Sequence, residues 1–135
     1  MNQLHSQDNE LSIEVTLCPS LRSLLIRFGS EYDIVYHLAA LSRIQPSFED
    51  PKETFRVNTK GCLNIAEWAR KTNTKVVYAG SSSRWHNPYQ SPYACFKHMG
   101  EEVFKMYKKV YGLNAEICRF YNVYGPGEII DGDPA

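Results

Sequence analysis

Tyr93 and Lys97 stand four residues apart in Gln90-Ser91-Pro92-Tyr93-Ala94-Cys95-Phe96-Lys97, a stretch that opens a helix and puts a phenol and an ammonium on one helical face. Two unit charges about 4 Å apart interact by about 4 kcal/mol at an effective dielectric near 20. About 1.4 kcal/mol corresponds to one pKa unit, so a lysine held beside a tyrosinate draws a phenol from about 10 towards about 7. Such a pair serves as acid and base near neutral pH. Taken alone the spacing is a weak signal, because a chain with nine tyrosines is expected to show about half a Tyr-x-x-x-Lys match by chance. The competing reading is an exposed helical lysine beside a packed tyrosine.

Other residues either join this pair or fall away from it. Ser83 closes the run Gly80-Ser81-Ser82-Ser83 and lies close enough in sequence to address the same substrate oxygen as Tyr93, unless the run is only a solvated serine turn. Asn58 places an amide inside an otherwise apolar helical stripe, where it must find partners, either backbone in the core or a ligand. His37 falls within an apolar run and reads as a satisfied core histidine. His86 and His98 have no carboxylate or cysteine at ligand spacing, so no metal site is expected. Trp68, Trp85 and Tyr89 read as packing residues. Gly125-Pro126-Gly127 reads as a turn, since Ile130 occupies the place of the third glycine of a phosphate loop and no helix follows.

The elements that must position these groups follow from periodicity. Ile34 to Ala40 is a nearly continuous apolar run, as expected for a strand buried on both faces of a parallel sheet. Asp50-Pro51 supplies an N-cap and first helical position for a helix with Phe55, Asn58, Cys62, Ile65, Ala66 and Ala69 on one stripe, ending near Asn73. Lys75 to Ala79 is the next strand. Ser91-Pro92 caps a long helix with Phe96, Met99, Val103, Met106, Tyr107 and Val110 facing inward and a stop at Gly112. Ala115 to Phe120 is the strand after it. Towards the N-terminus, Ile13, Val15 and Leu17 alternate like a short strand, and Leu21, Leu24, Leu25 and Phe28 have helical spacing.

Strands alternating with helices mean βαβ units and an α/β domain built on a parallel sheet, whose ligands sit beyond the carboxyl ends of the strands. Those ends carry Leu38, Ala39, Ala40, Leu41 and Ser42, then Ser81, Ser82 and Ser83, then Tyr121 and Asn122, with Tyr93 opening the helix after the second. The chemically distinctive groups therefore gather on one edge.

The bulk composition bounds the partners. A chain of 135 residues is one domain with a sizeable core. Fifteen basic and fifteen acidic residues are interspersed and balance to zero, which implies neither a nucleic-acid patch nor a membrane-binding surface. Cys18, Cys62, Cys95 and Cys118 lack any Cys-x-x-Cys spacing, and three of them fall inside helix or strand patterns as ordinary buried, reduced thiols do. With no signal-peptide pattern and no apolar run of membrane-spanning length, the expected setting is cytoplasmic.

Five motifs in order resemble the extended short-chain dehydrogenase/reductase family: His37-Leu38-Ala39-Ala40, Val57-Asn58-x-x-Gly61, Ser81-Ser82-Ser83, Ser91-Pro92-Tyr93-x-x-x-Lys97, and Arg119-Phe120-Tyr121-Asn122-Val123-Tyr124-Gly125-Pro126-Gly127. Within it the likeness is to the NAD-dependent nucleotide-sugar epimerases and dehydratases, such as the UDP-sugar 4-epimerases. The resemblance implies a Rossmann fold holding an NAD that takes a hydride from a sugar carbon and returns it. By motif, it implies Tyr93 as the base on the sugar hydroxyl, Lys97 as the residue that lowers its pKa and binds the nicotinamide ribose, and Ser83 as the hydroxyl that orients the substrate. Leu38, Ala39, Ala40, Leu41, Ser42, Asn58, Ser81 and Tyr121, with Tyr93 and Lys97, fall where the family lines its cofactor. Asn122 matches a position that meets the substrate diphosphate. A homodimer through helices 52–72 and 93–111 is also implied.

The departures are as specific. The family's opening strand, glycine-rich turn and helix, which hold the pyrophosphate, have no counterpart ahead of His37, and the expected domain is a partial Rossmann-like three-layer unit lacking its first strands. Residues 1–30 then form an atypical N-terminal segment, 31–128 the partial NAD-binding domain, and 129–135 a tail where the substrate domain would begin. Residues 12–17 are expected to hang loose or to take the vacated place beside the strand 34–40. Two functions follow as alternatives: a piece of a nucleotide-sugar epimerase or dehydratase, or a non-catalytic remnant acting as a binding or dimerisation module.

Overall fold

The computed structural model describes Ser23 and residues 32–85, 87–121 and 123–125. The expected strand 12–17, the helical spacing from 21 to 28 apart from Ser23, and also His86, Asn122 and the chain from 126 onward lie outside the described residues.

Three strands form a parallel sheet in the order β1 (Ile34–His37), β2 (Lys75–Ser81), β3 (Ala115–Phe120). Between β1 and β2 run α1 (Ile44–Glu49), α2 (Pro51–Phe55), a π-helical turn (Arg56–Lys60) and α3 (Gly61–Thr72). Two 3₁₀ turns, Ser82–Trp85 and Pro88–Gln90, then lead into α4 (Pro92–Tyr111) and on to β3. This is the α/β arrangement that the alternating pattern predicts.

The helix boundaries follow local chemistry. Asp50 Oδ1 accepts from the Glu53 amide at 2.9 Å and Pro51 fills the first helical position, where no amide is missed. Ser91 does the same for α4, its hydroxyl accepting from the Ala94 amide at 3.1 Å. Asn73 ends α3 at φ 55° and Gly112 ends α4 at φ 71°, both in the left-handed region that closes a helix.

The core lies between the helices and one face of the sheet, where Cys62, Ile65, Ala66, Trp68 and Ala69 of α3 and Phe104 and Tyr107 of α4 enclose Val76, Tyr78 and Ala115. Two glycines set how closely these layers approach. A Cβ on Gly100 of α4 would lie 2.6 Å from the Tyr78 hydroxyl, 2.9 Å from Cys62 Sγ and 3.0 Å from the Asn58 carbonyl. One on Gly80 of β2 would lie 2.6 Å from Glu101 Oε1. Neither position tolerates a side chain without displacing a neighbour.

Four expectations are corrected. β1 stops at His37 although the apolar run continues to Ala40, because the Leu38 amide turns back to the Tyr36 carbonyl at 3.2 Å and the Leu41 backbone pairs with a side chain. β1 is covered on one face only among the described residues, with Tyr36 63% exposed. The inner face of α4 is Ala94, Lys97, Gly100, Glu101, Phe104 and Tyr107, while Met99, Met106 and Val110 are exposed. In α2, likewise, Phe55 is exposed and meets Phe96 edge-on with centroids 5.4 Å apart. Nothing in the apolar spacing announces α1, whose six residues include Pro46.

Of the described cysteines, all free, only Cys62 is buried. Among the described residues no helix is long and apolar enough to cross a membrane, and no group of three or more His, Cys, Asp or Glu is placed to hold a metal ion.

Candidate active site

Tyr93 occupies the second position of α4, where a backbone amide has no partner within the helix. That amide donates to Ser47 Oγ at 3.1 Å, and the buried Ser47 hydroxyl itself donates to the Ile44 carbonyl at 2.5 Å. The short α1 thus fastens the start of the Tyr93 helix to the segment that follows β1. Thr59, in the π-helical turn, adds a second tie by donating to the Phe96 carbonyl at 3.1 Å.

One turn after Tyr93, Lys97 points into the protein and is 5% exposed. A buried ammonium needs acceptors, and Lys97 Nζ donates to the Ala79 carbonyl at 2.6 Å while resting 4.6 Å from the centre of the Tyr78 ring. Burial pushes its pKa down, opposed in part by Cys62 and Glu101. The sequence expectation aimed this ammonium at Tyr93; its hydrogen bond runs instead to the end of β2.

That strand end carries the serines. Ser81 closes β2 opposite Phe120 of β3, and its Oγ accepts from the Ser83 amide at 3.2 Å and from Ser83 Oγ at 2.8 Å. Ser83 is therefore folded onto the strand end that Lys97 also addresses through Ala79. All three of Tyr93, Lys97 and the Ser81–Ser83 turn belong to the β2–α4 connection and its flanks.

The loop after β1 is set by Asn58. Its Oδ1 accepts from the Leu41 amide at 2.8 Å and its Nδ2 donates to the Leu41 carbonyl at 2.9 Å, so the side chain satisfies one backbone residue in both directions. The structural role weighed for this amide is the one its geometry displays. The insertion that makes Arg56–Lys60 a π turn carries Asn58 and Thr59, and single π turns are frequent at functional sites. Leu38 and Ser42 are exposed, and Ala39, Ala40 and Leu41 half-buried. Tyr121, past the end of β3, is exposed, and Asn122 lies outside the described residues.

Behind the site the groups are dry and paired. His37 packs against Tyr78 and Phe104 with Nε2 3.5 Å from Cys62 Sγ, and desolvation, aided by the Lys97 charge, lowers its pKa to about 4. It is the neutral core histidine that the sequence suggests. Burial pushes the Tyr78 phenol far up, so it stays protonated. Glu101, 1% exposed, receives Arg119 Nε at 3.1 and 3.2 Å and Nη2 at 2.8 Å. Sequence reasoning missed Ser47, Glu101 and the role of Arg119. A carboxylate four residues after Lys97, on the same face, was the available signal for Glu101.

The reading of Trp85 and Tyr89 as packing residues is corrected, since they are 63% and 83% exposed beside the serine turn. Trp68 alone of the three is buried.

The sequence matches the description "NAD dependent epimerase/dehydratase family" over residues 5–135. It is 34% identical to a putative UDP-glucose 4-epimerase of Methanocaldococcus jannaschii, over 70% of this chain and 36% of the relative. It is 32% identical to a UDP-glucose 4-epimerase of Mycolicibacterium smegmatis, over 96% of this chain and 47% of the relative. Its structure resembles the Bordetella bronchiseptica enzyme WbmF, solved in complex with NAD+ and UDP, with a TM-score of 0.72 and 36% identity over 83% of this chain and 36% of that one. The chain thus spans less than half the length of these relatives.

Proposed function

This chain belongs to the NAD-dependent epimerase/dehydratase family, and we propose that it carries the proton-transfer half of a site for oxidising and re-reducing a sugar carbon of a nucleotide-diphosphate sugar. The observation that carries this reading is the burial of Lys97 one turn after Tyr93, with its ammonium 2.6 Å from the carbonyl of Ala79 and the Ser83 hydroxyl folded onto Ser81 at the same strand end. Tyr93 takes the proton from the sugar hydroxyl, Ser83 turns its O–H from Ser81 to that oxygen, and Lys97 favours the ionised phenol. NAD, when bound, supplies the hydride acceptor.

The donor set suits the nicotinamide ribose of a dinucleotide. An ammonium has three N–H donors, and the Ala79 carbonyl takes one, leaving capacity for the hydroxyls of a nicotinamide ribose. Leu38–Ser42, Ser81 and Tyr121 line the cofactor in this reading, with Asn58 acting by fixing Leu41, and Asn122 meets the substrate diphosphate. A glycine-rich pyrophosphate turn is not found within these 135 residues.

Calorimetry with NAD, followed by a turnover assay with UDP-hexoses, tests the reading. NAD binding weakened about tenfold or more by Lys97→Met, and turnover lowered about 100-fold or more by Tyr93→Phe, support it. No heat at millimolar NAD would leave the second reading, a non-catalytic dimerisation module. The exposed Met99, Met106 and Val110 favour pairing through α4, and with α3 this is the surface for a homodimer. Light scattering that finds only monomer at 100 μM, a concentration of about one hundred times a micromolar Kd, would remove that surface from consideration.

A further inference from the structure

The ion pair of buried Glu101 and half-buried Arg119 sits outside the proton-transfer set, yet it is connected to it. Glu101 lies one turn beyond Lys97 on the inner face of α4, and both of its oxygens are engaged by Arg119 of β3. Gly80 is the ladder partner of Arg119, and the carboxylate occupies the space that a side chain there would take. Three hydrogen bonds to a carboxylate that is 1% exposed hold the guanidinium in place.

On its other side that guanidinium meets Trp85, its central carbon 5.5 Å from the centre of the ring. Trp85 is the last residue of the 3₁₀ turn Ser82–Trp85, and the turn's first bonds are those of Ser83 to Ser81 Oγ. The indole is 63% exposed, so burial in the core does not anchor it. The turn is therefore tied at one end by the Ser81 hydroxyl and at the other by an indole resting on a fixed cationic plane.

We propose that Arg119, oriented by Glu101 and acting through Trp85, is a positioning residue for Ser83. This rests on the role given above to Ser83. The contact belongs to the weaker, exposed class of cation–π pair, which is worth a two- to fivefold bias in the order of a loop and little to the stability of a domain. A residue that mattered only to folding would show the opposite proportion.

The test is amide hydrogen exchange by NMR on the full chain, comparing Ser83 with Val76, whose amide is bonded to the Asn114 carbonyl in the core. Trp85→Ala is expected to speed exchange at Ser83 by about two- to fivefold and to leave Val76 unchanged, with a thermal midpoint within about 3 °C of native. Trp85→Phe, which keeps a ring for the guanidinium, restores the native rate. Arg119→Lys keeps a cation for Glu101 but loses the plane, and its effect at Ser83 does not add to that of Trp85→Ala in the double variant. Unchanged exchange at Ser83 in Trp85→Ala overturns the proposal. So does parallel acceleration at Val76, failure of Trp85→Phe to restore, or additivity in the double variant. Neither cofactor nor sugar enters these measurements, so a negative result leaves the Tyr93–Lys97 reading standing, and the failure of that reading would appear only in the NAD and turnover assays.

Discussion

The seam between α4 and the sheet and the rim at the carboxyl ends of the strands use similar side chains in opposite states. In the seam, Lys97, Glu101, Tyr78 and His37 are buried, and each polar head is answered by a named partner. At the rim, Leu38, Trp85, Tyr89 and Tyr121 are exposed. Groups that must hold a fixed charge or a fixed protonation state are dry, and the rim side chains are not covered by the described residues; Lys97 alone belongs to the seam and is also assigned a ligand. The contrast separates a dry scaffold from an open rim, and it can be broken by experiment.

The largest expected effect is at the centre of the seam. Arg119→Met takes the guanidinium from the buried Glu101 carboxylate, and with the Arg119 side chain 25% exposed the cost falls towards the lower end of the roughly 3–5 kcal/mol range of buried pairs, about 3 kcal/mol. The double variant Glu101→Gln/Arg119→Met recovers part of that loss, because a buried neutral amide costs less than a buried carboxylate, about 1–3 kcal/mol at most. Urea denaturation measures both. A loss below about 1 kcal/mol in the single variant, the scale of exposed pairs, would mean that the seam is wet and the contrast false.

Next comes a dependence on pH. His37 has its pKa lowered from 6.5 to about 4 by burial and by the nearby Lys97 charge. The unfolded chain therefore takes up this proton first as pH falls. The stability that neutral His37 contributes is fully present above about 6.5 and is lost progressively as pH falls towards about 4, a change of about 3 kcal/mol. His37→Gln should flatten the stability profile between pH 6.5 and 5, above the range where most carboxylates titrate. An equally steep profile in the variant would assign the effect to another group.

How far the sequence revealed this contrast depends on how local the signals were. β2, β3, α4 and the helix ends were legible because caps, glycine stops and strand composition act within a few residues, as at Ser91-Pro92, Asn73 and Gly112. That Tyr93, Lys97 and Ser83 share the β2–α4 connection and its flanks followed from element order, on which the strand-end rule depends. The seam was not. Apolarity placed Met99, Met106 and Val110 inward, whereas Lys97 and Glu101 took that face because Ala79 and Arg119, distant in sequence, satisfy them. The end of β1 and the π turn were hidden for a related reason: both depend on Asn58 meeting Leu41 across 17 residues.

The smallest effect is the sharpest comparison, because one chemical change can be made in both regions. Tyr78→Phe removes a buried hydroxyl that lies 3.5 Å from the Lys97 carbonyl and sits against Gly100, and it should cost about 1 kcal/mol through the lost hydrogen bond and the space left above the glycine. Tyr89→Phe removes the same atom from an 83% exposed ring and should stay within about 0.5 kcal/mol of native. Urea midpoints of the two variants at one pH give the difference directly. Equal costs would dissolve the distinction between seam and rim. A larger cost at Tyr89 would show that its hydroxyl is engaged in solution, and that the rim forms part of the scaffold instead of waiting for a ligand.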